Sequence, residues 1–295
     1  MTTDELDTLL TALYVAVDDR LPGTRWLGRP PRLTDSELIT LAVAQVLLGF
    51  HCEARWLRFA HAHLHGLFPY LSQRPAYNKR LRAALPLVKR AIRALAADCD
   101  LWPDPVWIVD STPVECARLR ETVRRCDLAG WAGYGYCHSH SRFYWGLKLH
   151  LVCTPAGLPV TWTLADERQV LAALIDNEPH LAAARPGLLI LADKGYIATD
   201  LDRFLAARGI SLLRPSYRNR GTPYPAEPLL KTVRQLIESV NDTLKGRLNL
   251  EQHGGRTIEG VGVRVAQRIL AMTCAIWHNR NTGAPITRSL IAYDH

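Results

Sequence analysis

The sequence lacks any run of apolar residues long enough to cross a membrane. Its longest apolar stretches, residues 38–50 and 269–277, fall short of the ~20 residues that a membrane helix needs. The first ten residues carry Asp4, Glu5 and Asp7, where a signal peptide would have a basic start and an apolar core. We therefore expect no membrane span, no secretion and a cytoplasmic location.

Paired cysteines, internal repeats and low-complexity tracts are also absent. The seven cysteines form no Cys-x-x-Cys pair, and their odd number and wide spacing in 295 residues exclude a small disulfide scaffold. With 48% hydrophobic and 22% charged residues, the composition excludes disordered and collagen-like chains. We expect a globular protein of one or two domains with reduced cysteines.

Acidic residues are fewer than basic ones, 28 against 36, so that the formal net charge is +8. Such a balance favours a polyanionic partner, most often nucleic acid. The excess is concentrated between residues 51 and 97, where nine Lys and Arg residues accompany one acid, Glu53. A solvated helical face is the plain alternative, but the scarcity of acids favours a helical module that contacts phosphates.

Helical periodicity dominates residues 1–100, which we predict to be a helical DNA-binding region. A capping box, Thr34-Asp-Ser-Glu37, precedes one apolar run and marks a helix start. Pro86 is predicted to kink or break a later helix. The predicted helices cover residues 4–19, 38–48, 55–67 and 76–97.

Residues 101–295 are predicted to form a mixed α/β domain that includes a C-terminal helix. Three strands, at 105–110, 144–153 and 158–165, are expected to form an antiparallel meander. Helices and strands then alternate. They are a helix at 169–184, a strand at 188–193, a helix at 199–208, a strand at 210–213, and helices at 229–248 and 262–279.

Two of the predicted strands end in an aspartate. Val-Trp-Ile-Val-Asp110 and Leu-Leu-Ile-Leu-Ala-Asp193 each deliver an acid after an apolar run. Strands that are apolar on both faces are central ones, and ligand sites of α/β proteins gather where such strands end. The alternative for each aspartate is a turn or a helix cap.

The helix at 229–248 adds a third acid. Arg234, Glu238 and Lys245 share one helical face, flanked by Asn241 and Asp242, opposite an apolar seam. An exposed helix with ordinary Arg–Glu spacing is the alternative. Three converging acids suit metal-dependent phosphoryl transfer, in which two Mg²⁺ or Mn²⁺ ions about 4 Å apart act on the phosphate.

Three segments give the chain a family resemblance. They are Asp110-Ser-Thr-Pro-Val, the stretch from Gly133 to His150 that begins Gly-Tyr-Gly-Tyr-Cys, and Ala192-Asp193-Lys-Gly-Tyr196. Together they resemble bacterial insertion-sequence transposases of the Asp-Asp-Glu type, and most closely the insertion-sequence family numbered 982. Related transposases carry the signature Tyr-x2-Arg-x3-Glu-x6-Lys, which Arg234, Glu238 and Lys245 match, whereas Lys231 stands in the place of the tyrosine.

The resemblance implies an RNase H-like catalytic domain with Asp110, Asp193 and Glu238 as the metal-binding triad. It also implies a homodimer acting in the nucleoid on double-stranded DNA, namely the terminal repeats of the element and the target. Basic residues are expected to contact the phosphates. These are Lys79, Arg80, Arg82, Arg214, Arg218, Arg220, Lys231, Arg234 and Lys245.

Other candidates are weaker. Asp166 also follows an apolar strand, but a helix cap is its simpler role. The stretch from Trp131 to Trp145, rich in aromatic residues, could either pack as a hairpin loop or stack on unpaired bases. Zinc binding by the loop cysteines and histidines is disfavoured because they lack metal-site spacing. The remaining candidates that we consider are Glu115, Glu178, Cys126, Cys137, His138, His140 and the helical pair His61 and His65.

The predicted function is therefore that of a DNA transposase, which hydrolyses a phosphodiester at the element end and joins the 3′-hydroxyl to target DNA. Two alternatives remain open. One is a metal-dependent nuclease of the same fold that cuts without joining. The other is a DNA-binding derivative without catalysis, which the retention of all three acids disfavours.

Overall fold

The computed structural model describes residues 3–21, 28–117, 120–124, 127–137, 142–165, 170–215 and 227–285. The chain divides into two compact units. One, the helical unit, combines residues 1–99 with 243–295, and the other, the sheet unit, comprises residues 100–242. Among the described residues, no helix has the length and apolar character that a membrane span requires.

In the part of residues 1–99 that the structure describes, five helices form the first part of the helical unit. The predicted capping box of α2 is confirmed, since Thr34 Oγ1 accepts from Glu37 N at 3.1 Å and Glu37 Oε2 accepts from Thr34 N. Pro86 lies in the first turn of α5, where its missing N–H has no helical partner to lose, so the predicted kink is a helix boundary. The helices are α1 (Thr3–Arg20), α2 (Asp35–Leu47), α3 (Glu53–His63), α4 (Arg74–Ala83) and α5 (Leu85–Ala97).

The sheet unit contains a six-stranded mixed sheet and flanking helices. The predicted meander is confirmed, because β1 and β4 both pair antiparallel with β3, whereas β5 lies parallel to β1 and β6 parallel to β5. Its elements are β1 (Val106–Ala117), α6 (Arg120–Arg124), β2 (Gly133–Cys137), β3 (Arg142–Cys153), β4 (Pro159–Ala165), α7 (Val170–Asn177), α8 (Pro179–Ala183), β5 (Leu189–Ala192), α9 (Thr199–Ala206), β6 (Ser211–Leu213) and α10 (Glu227–Asp242).

Strand β1 does not end at Asp110, as the sequence predicted, but continues to Ala117. Residues Val106–Val109 pair with β5, and the strand pairs with β3 from Ile108 onward. A proline is tolerated at position 113 because β5 pairs with β1 only through Val109. Asp110 is therefore the first residue of β1 beyond its pairing with β5.

The C-terminal helix α11 (Ile258–Asn281) belongs to the helical unit, whereas the sequence prediction grouped it with the sheet. The helix is buried along nearly its whole length, and such a helix must be surrounded by others. It contacts α1, α2, α4 and α5. Gln267 Nε2 donates to the Ala42 carbonyl at 2.7 Å, and Trp277 Nε1 donates to Asp98 Oδ2 at 2.7 Å.

Candidate active site

The two predicted aspartates lie side by side in the sheet unit. Parallel strands β1 and β5 pair in register up to Val109 and Ala192, and the next residue on each chain is Asp110 or Asp193. Because neighbouring strands lie about 4.8 Å apart, this register brings the two backbones close together. Asp110 is half-buried and Asp193 is exposed, so that this end of the β1–β5 pair carries an acidic pair open to solvent.

A tight turn positions Asp193. Directly after β5, residues Lys194–Tyr196 form a 3₁₀ turn, in which Gly195 N donates to Asp193 Oδ1 at 2.8 Å. A Cβ atom on residue 195 would lie 2.9 Å from that same oxygen. A side chain at residue 195 would therefore displace the Asp193 carboxylate from this position.

Tyr196 ends this turn beneath the acidic pair. Its hydroxyl is hydrogen-bonded to His150 Nδ1 at 3.0 Å, and its ring meets the imidazole edge-on. Burial raises the pKa of Tyr196, and the carboxylates of Asp110 and Asp193 raise it further, while a hydrogen bond with Ser111 opposes them. The hydroxyl therefore stays protonated near both acids. Tyr196 and His150 belong to the motifs of the family resemblance, but the sequence predicted no role for either residue.

Arg214, directly after β6, binds the same turn. Its guanidinium forms a bidentate pair with Asp202 of α9, at 2.5 and 2.6 Å, and donates to the Tyr196 carbonyl at 3.3 Å. The sequence predicted a phosphate contact for Arg214. We assign it instead to the fold, because its side chain is already bound on the protein.

Helix α10 brings the third acid towards the pair. Asn241 is buried, and its Nδ2 donates to Asp110 Oδ2 at 2.8 Å. Glu238 lies three residues earlier, one turn away on the same side of the helix, and is exposed. Ile237 and Val240 are buried along the apolar seam that the sequence predicted. The Asn241–Asp110 bond, between residues 131 positions apart, had no signal in the sequence beyond the flanking place of Asn241.

A metal ion would need its ligand side chains closer together than they lie among the described residues. Among the described residues, no group of three or more His, Cys, Asp and Glu side chains is placed to hold a metal ion. The donors at hand, carboxylates of Asp110 and Asp193 with Glu238 one turn from Asn241, are all hard oxygens. That chemistry fits Mg²⁺ or Mn²⁺ and not a soft metal.

The other predicted DNA contacts have different surroundings. Lys79 and Arg82 are exposed on α4, and Lys245 is half-buried in a π-helical turn, Thr243–Arg247. Arg80 pairs with Asp35 at 2.8 Å and donates to the Leu33 carbonyl, so we assign it to the fold, like Arg214. Outside the described residues lie Arg218 and Arg220 and the side chains of Lys231 and Arg234.

The alternative ligands are dispersed. Glu115 lies 3.6 Å from Arg142 in an ion pair, and Glu178 precedes α8. His61 lies in α3, but His65 follows the end of that helix, so the helical spacing does not apply to the pair. Asp166, Cys126, His138, His140 and the side chain of Cys137 lie outside the described residues.

The aromatic segment forms part of the sheet edge. The sequence predicted no strand there, yet β2 pairs with β3. Four rings are exposed to solvent, by 42% to 77%, and they belong to Trp131, Tyr134, Tyr136 and Phe143. Tyr136 and Phe143 contact each other edge-on with centroids 4.9 Å apart.

Comparison with known proteins gives one family. A family model described as a transposase DDE domain matches residues 102–258, more than half of the chain. No curated protein matches, and no solved structure does. The matched segment contains Asp110, Asp193 and Glu238.

Proposed function

The chain belongs to the family of transposase DDE domains, and on this basis we propose that it is a DNA transposase with Asp110, Asp193 and Glu238 as its catalytic triad. It hydrolyses a phosphodiester at the end of its element and joins the 3′-hydroxyl to target DNA. One observation carries this assignment. The register Val109 to Ala192 sets two acids side by side, and Asn241 ties the helix that bears Glu238 to the first of them.

The strand order supports an RNase H-like fold for the sheet unit. Three antiparallel strands, β4, β3 and β1, are followed across the sheet by the parallel strands β5 and β6. In this arrangement β1 is the central strand. Its acid, Asp110, lies beside Asp193, which follows β5. The motifs from Asp110 to Tyr196 favour the insertion-sequence family numbered 982 within the larger family.

The three carboxylates would hold two Mg²⁺ or Mn²⁺ ions, which supply an activated water or hydroxyl and stabilise the leaving oxygen. The protein's own residues set the geometry. Gly195 N and the neutral Tyr196 hydroxyl keep the Asp193 turn in place, and Asn241 orients Asp110. Glu238 completes the triad by a movement of its flexible side chain, or of α10, towards the pair.

Double-stranded DNA is the proposed substrate and a second copy of the chain the proposed partner, because two element ends must be brought together. The net charge of +8 supports a polyanionic substrate in the nucleoid. The exposed rings of Tyr134, Tyr136 and Phe143 present faces that can stack on unpaired bases at an element end.

Cleavage and joining of a labelled duplex that carries the element's own end test the proposal. We expect the wild type to cut and join with Mg²⁺, and Glu238→Gln to bind the duplex without reacting, because the amide keeps the shape but loses the charge that binds metal. Asp242→Asn is the matched control, since Asp242 is an exposed acid on the same helix outside the triad. It should react like the wild type.

Other outcomes separate the alternatives. Cleavage without joining would assign the chain to the metal-dependent nucleases. Binding without any reaction, in Mg²⁺ and in Mn²⁺, would leave a DNA-binding protein without catalysis. Full activity of Glu238→Gln would remove Glu238 from the triad.

A further inference from the structure

A basic cleft lies within the helical unit. It has a volume of about 460 Å³ and lies between the start of α3, one side of α4 and the loop that leads into α11. Four arginines and two histidines line it, together with a single acid, Glu53. The basic members are His51, Arg74, Arg82, His253, Arg256 and Arg264.

The one acid in the cleft is already neutralised. Glu53 forms an ion pair with Arg264, which is largely buried, and accepts from Asn78 Nδ2 at 2.6 Å. Arg74 is 65% exposed, and its Nε lies 3.9 Å from Glu53, at the limit of an ion pair. Once the Glu53–Arg264 pair is set aside, Arg74 and Arg82 add positive charge to the cleft.

Helix ends add to this potential. The cleft is lined by the first turns of α3, α4 and α11, which have 11, 10 and 24 residues. The start of a helix carries partial positive charge. Cys52, directly before α3, reports this effect, because backbone N–H groups of Arg55 and Ala54 lower the pKa of its thiol. The three helix starts therefore add to the positive potential of the cleft lining.

The loop before α11 exposes backbone in place of side chains. Gly254 has a φ of +65°, a conformation that suits glycine. A Cβ atom on Gly255 would lie 2.7 Å from Val261 N, so only glycine lets the loop lie against the first turn of the helix. Thr257 caps that turn by accepting from Gly260 N at 3.1 Å.

We infer that the basic cleft binds a phosphate of the DNA backbone, with Arg74 and Arg82 as its main contacts. Guanidinium groups match phosphate oxygens in a two-pronged geometry. No Phe, Tyr or Trp appears among the described residues that line the cleft, so it offers no aromatic platform for a base. Recognition of the backbone, independent of sequence, is the mode that this lining suits. The inference rests on the proposed function in taking DNA as the ligand.

Binding of a labelled duplex by the full chain at several salt concentrations tests the inference. The double variant Arg74→Gln, Arg82→Gln should bind roughly 100-fold more weakly, about tenfold for each lost charged contact. Its plot of log affinity against log salt should be shallower by about two. The control Arg29→Gln, Arg124→Gln removes two exposed arginines outside both the cleft lining and the basic stretch at 51–97, and it should keep the slope of the wild type.

Alkylation of Cys52 gives a second readout, because this exposed thiol lines the cleft. Bound duplex should slow its reaction with iodoacetamide in the wild type and protect it far less in the double variant. Protection that is the same in both proteins would overturn the inference.

Four further results would also overturn it. If the double variant and the control lose DNA affinity equally, the loss reflects net charge and not the cleft. Unchanged DNA affinity, with loss only of the thermal stabilisation that inorganic phosphate gives the wild type, would make the cleft a site for free anions. If the wild type cuts DNA and the double variant binds DNA equally well, only the role of the cleft is refuted. If the wild type binds no DNA, the proposed function is refuted as well.

Discussion

At the scale of residues, a few atomic contacts fix the position of the Asp193 carboxylate. Its carboxylate accepts from Gly195 N, occupies the space where a Cβ of residue 195 would lie, and raises the pKa of Tyr196 below it. Arg214, directly after β6, donates a hydrogen bond to the Tyr196 carbonyl. The turn is therefore defined by contacts to residues of three elements, and small changes in it act directly on the acid.

Gly195→Ala should lower the cleavage rate about tenfold, because the added Cβ would displace the Asp193 carboxylate slightly, and a displacement of about 1 Å lowers a rate about 100-fold. DNA affinity and the thermal midpoint should change little, since residue 195 is exposed. Single-turnover cleavage with saturating duplex measures the effect. Gly66→Ala, at an exposed site with nothing within 4 Å of the added Cβ, is the control. A fully active Gly195→Ala would contradict the role given to this turn.

At the scale of elements, the pairing of β1 with β3 sets the position of Asp110. The register shifts between Glu115 and Ala117, where the backbone of β1 approaches Gly146 of β3. A Cβ atom at position 146 would lie 2.1 Å from the Val114 carbonyl oxygen. Glycine at this place allows the two strands to remain paired through the irregularity.

Gly146→Ala should therefore destabilise the sheet unit by about 3 kcal/mol, at the upper end of the usual cost of overpacking, because the clash is with backbone. Hydrogen exchange of the β1 and β3 amides measures the change, and it should be faster there than in the wild type. Gly66→Ala again serves as the comparison. Exchange rates like those of the wild type in both strands would contradict this account of the strand pair.

At the scale of the whole molecule, the last helix of the chain packs against its first helices. The helical unit is built from residues 1–99 and 243–295, so its last helix must be made before the unit is complete. Helix α11 supplies a large part of that core, including Ile269, Leu270 and Ala271, which are fully buried. The stability of the N-terminal helices thus depends on residues about 200 positions away in the chain. Contacts between residues so far apart form slowly during folding.

Leu270→Ala should destabilise the helical unit by about 2–5 kcal/mol, the range for removal of a buried leucine side chain. Denaturant unfolding followed by helical circular dichroism measures it. The same substitution at Leu67, which is 42% exposed, should have a much smaller effect. Equal effects at the two sites would contradict the central place of α11.

The sequence by itself determined the features that depend on neighbouring residues. Helical periods and the Thr34–Glu37 capping box predicted most elements correctly, because caps and periodicity are local. Apolar runs before Asp110 and Asp193 predicted, for the same reason, that each acid follows a buried strand segment. The extension of β1 beyond Asp110 and the strand β2 escaped prediction, since their pairing with β3 is not local.

Only the tertiary structure decided the features that depend on residues far apart in the chain. The register that sets Asp110 beside Asp193, the bond from Asn241 to Asp110, and the place of α11 all require partners that periodicity cannot identify. The same holds for charge. A count of basic residues treats Arg80, Arg82 and Arg214 alike, but folding binds the first and last to aspartates and leaves Arg82 exposed in a cleft, because an ion pair forms only where the fold brings an acid within reach.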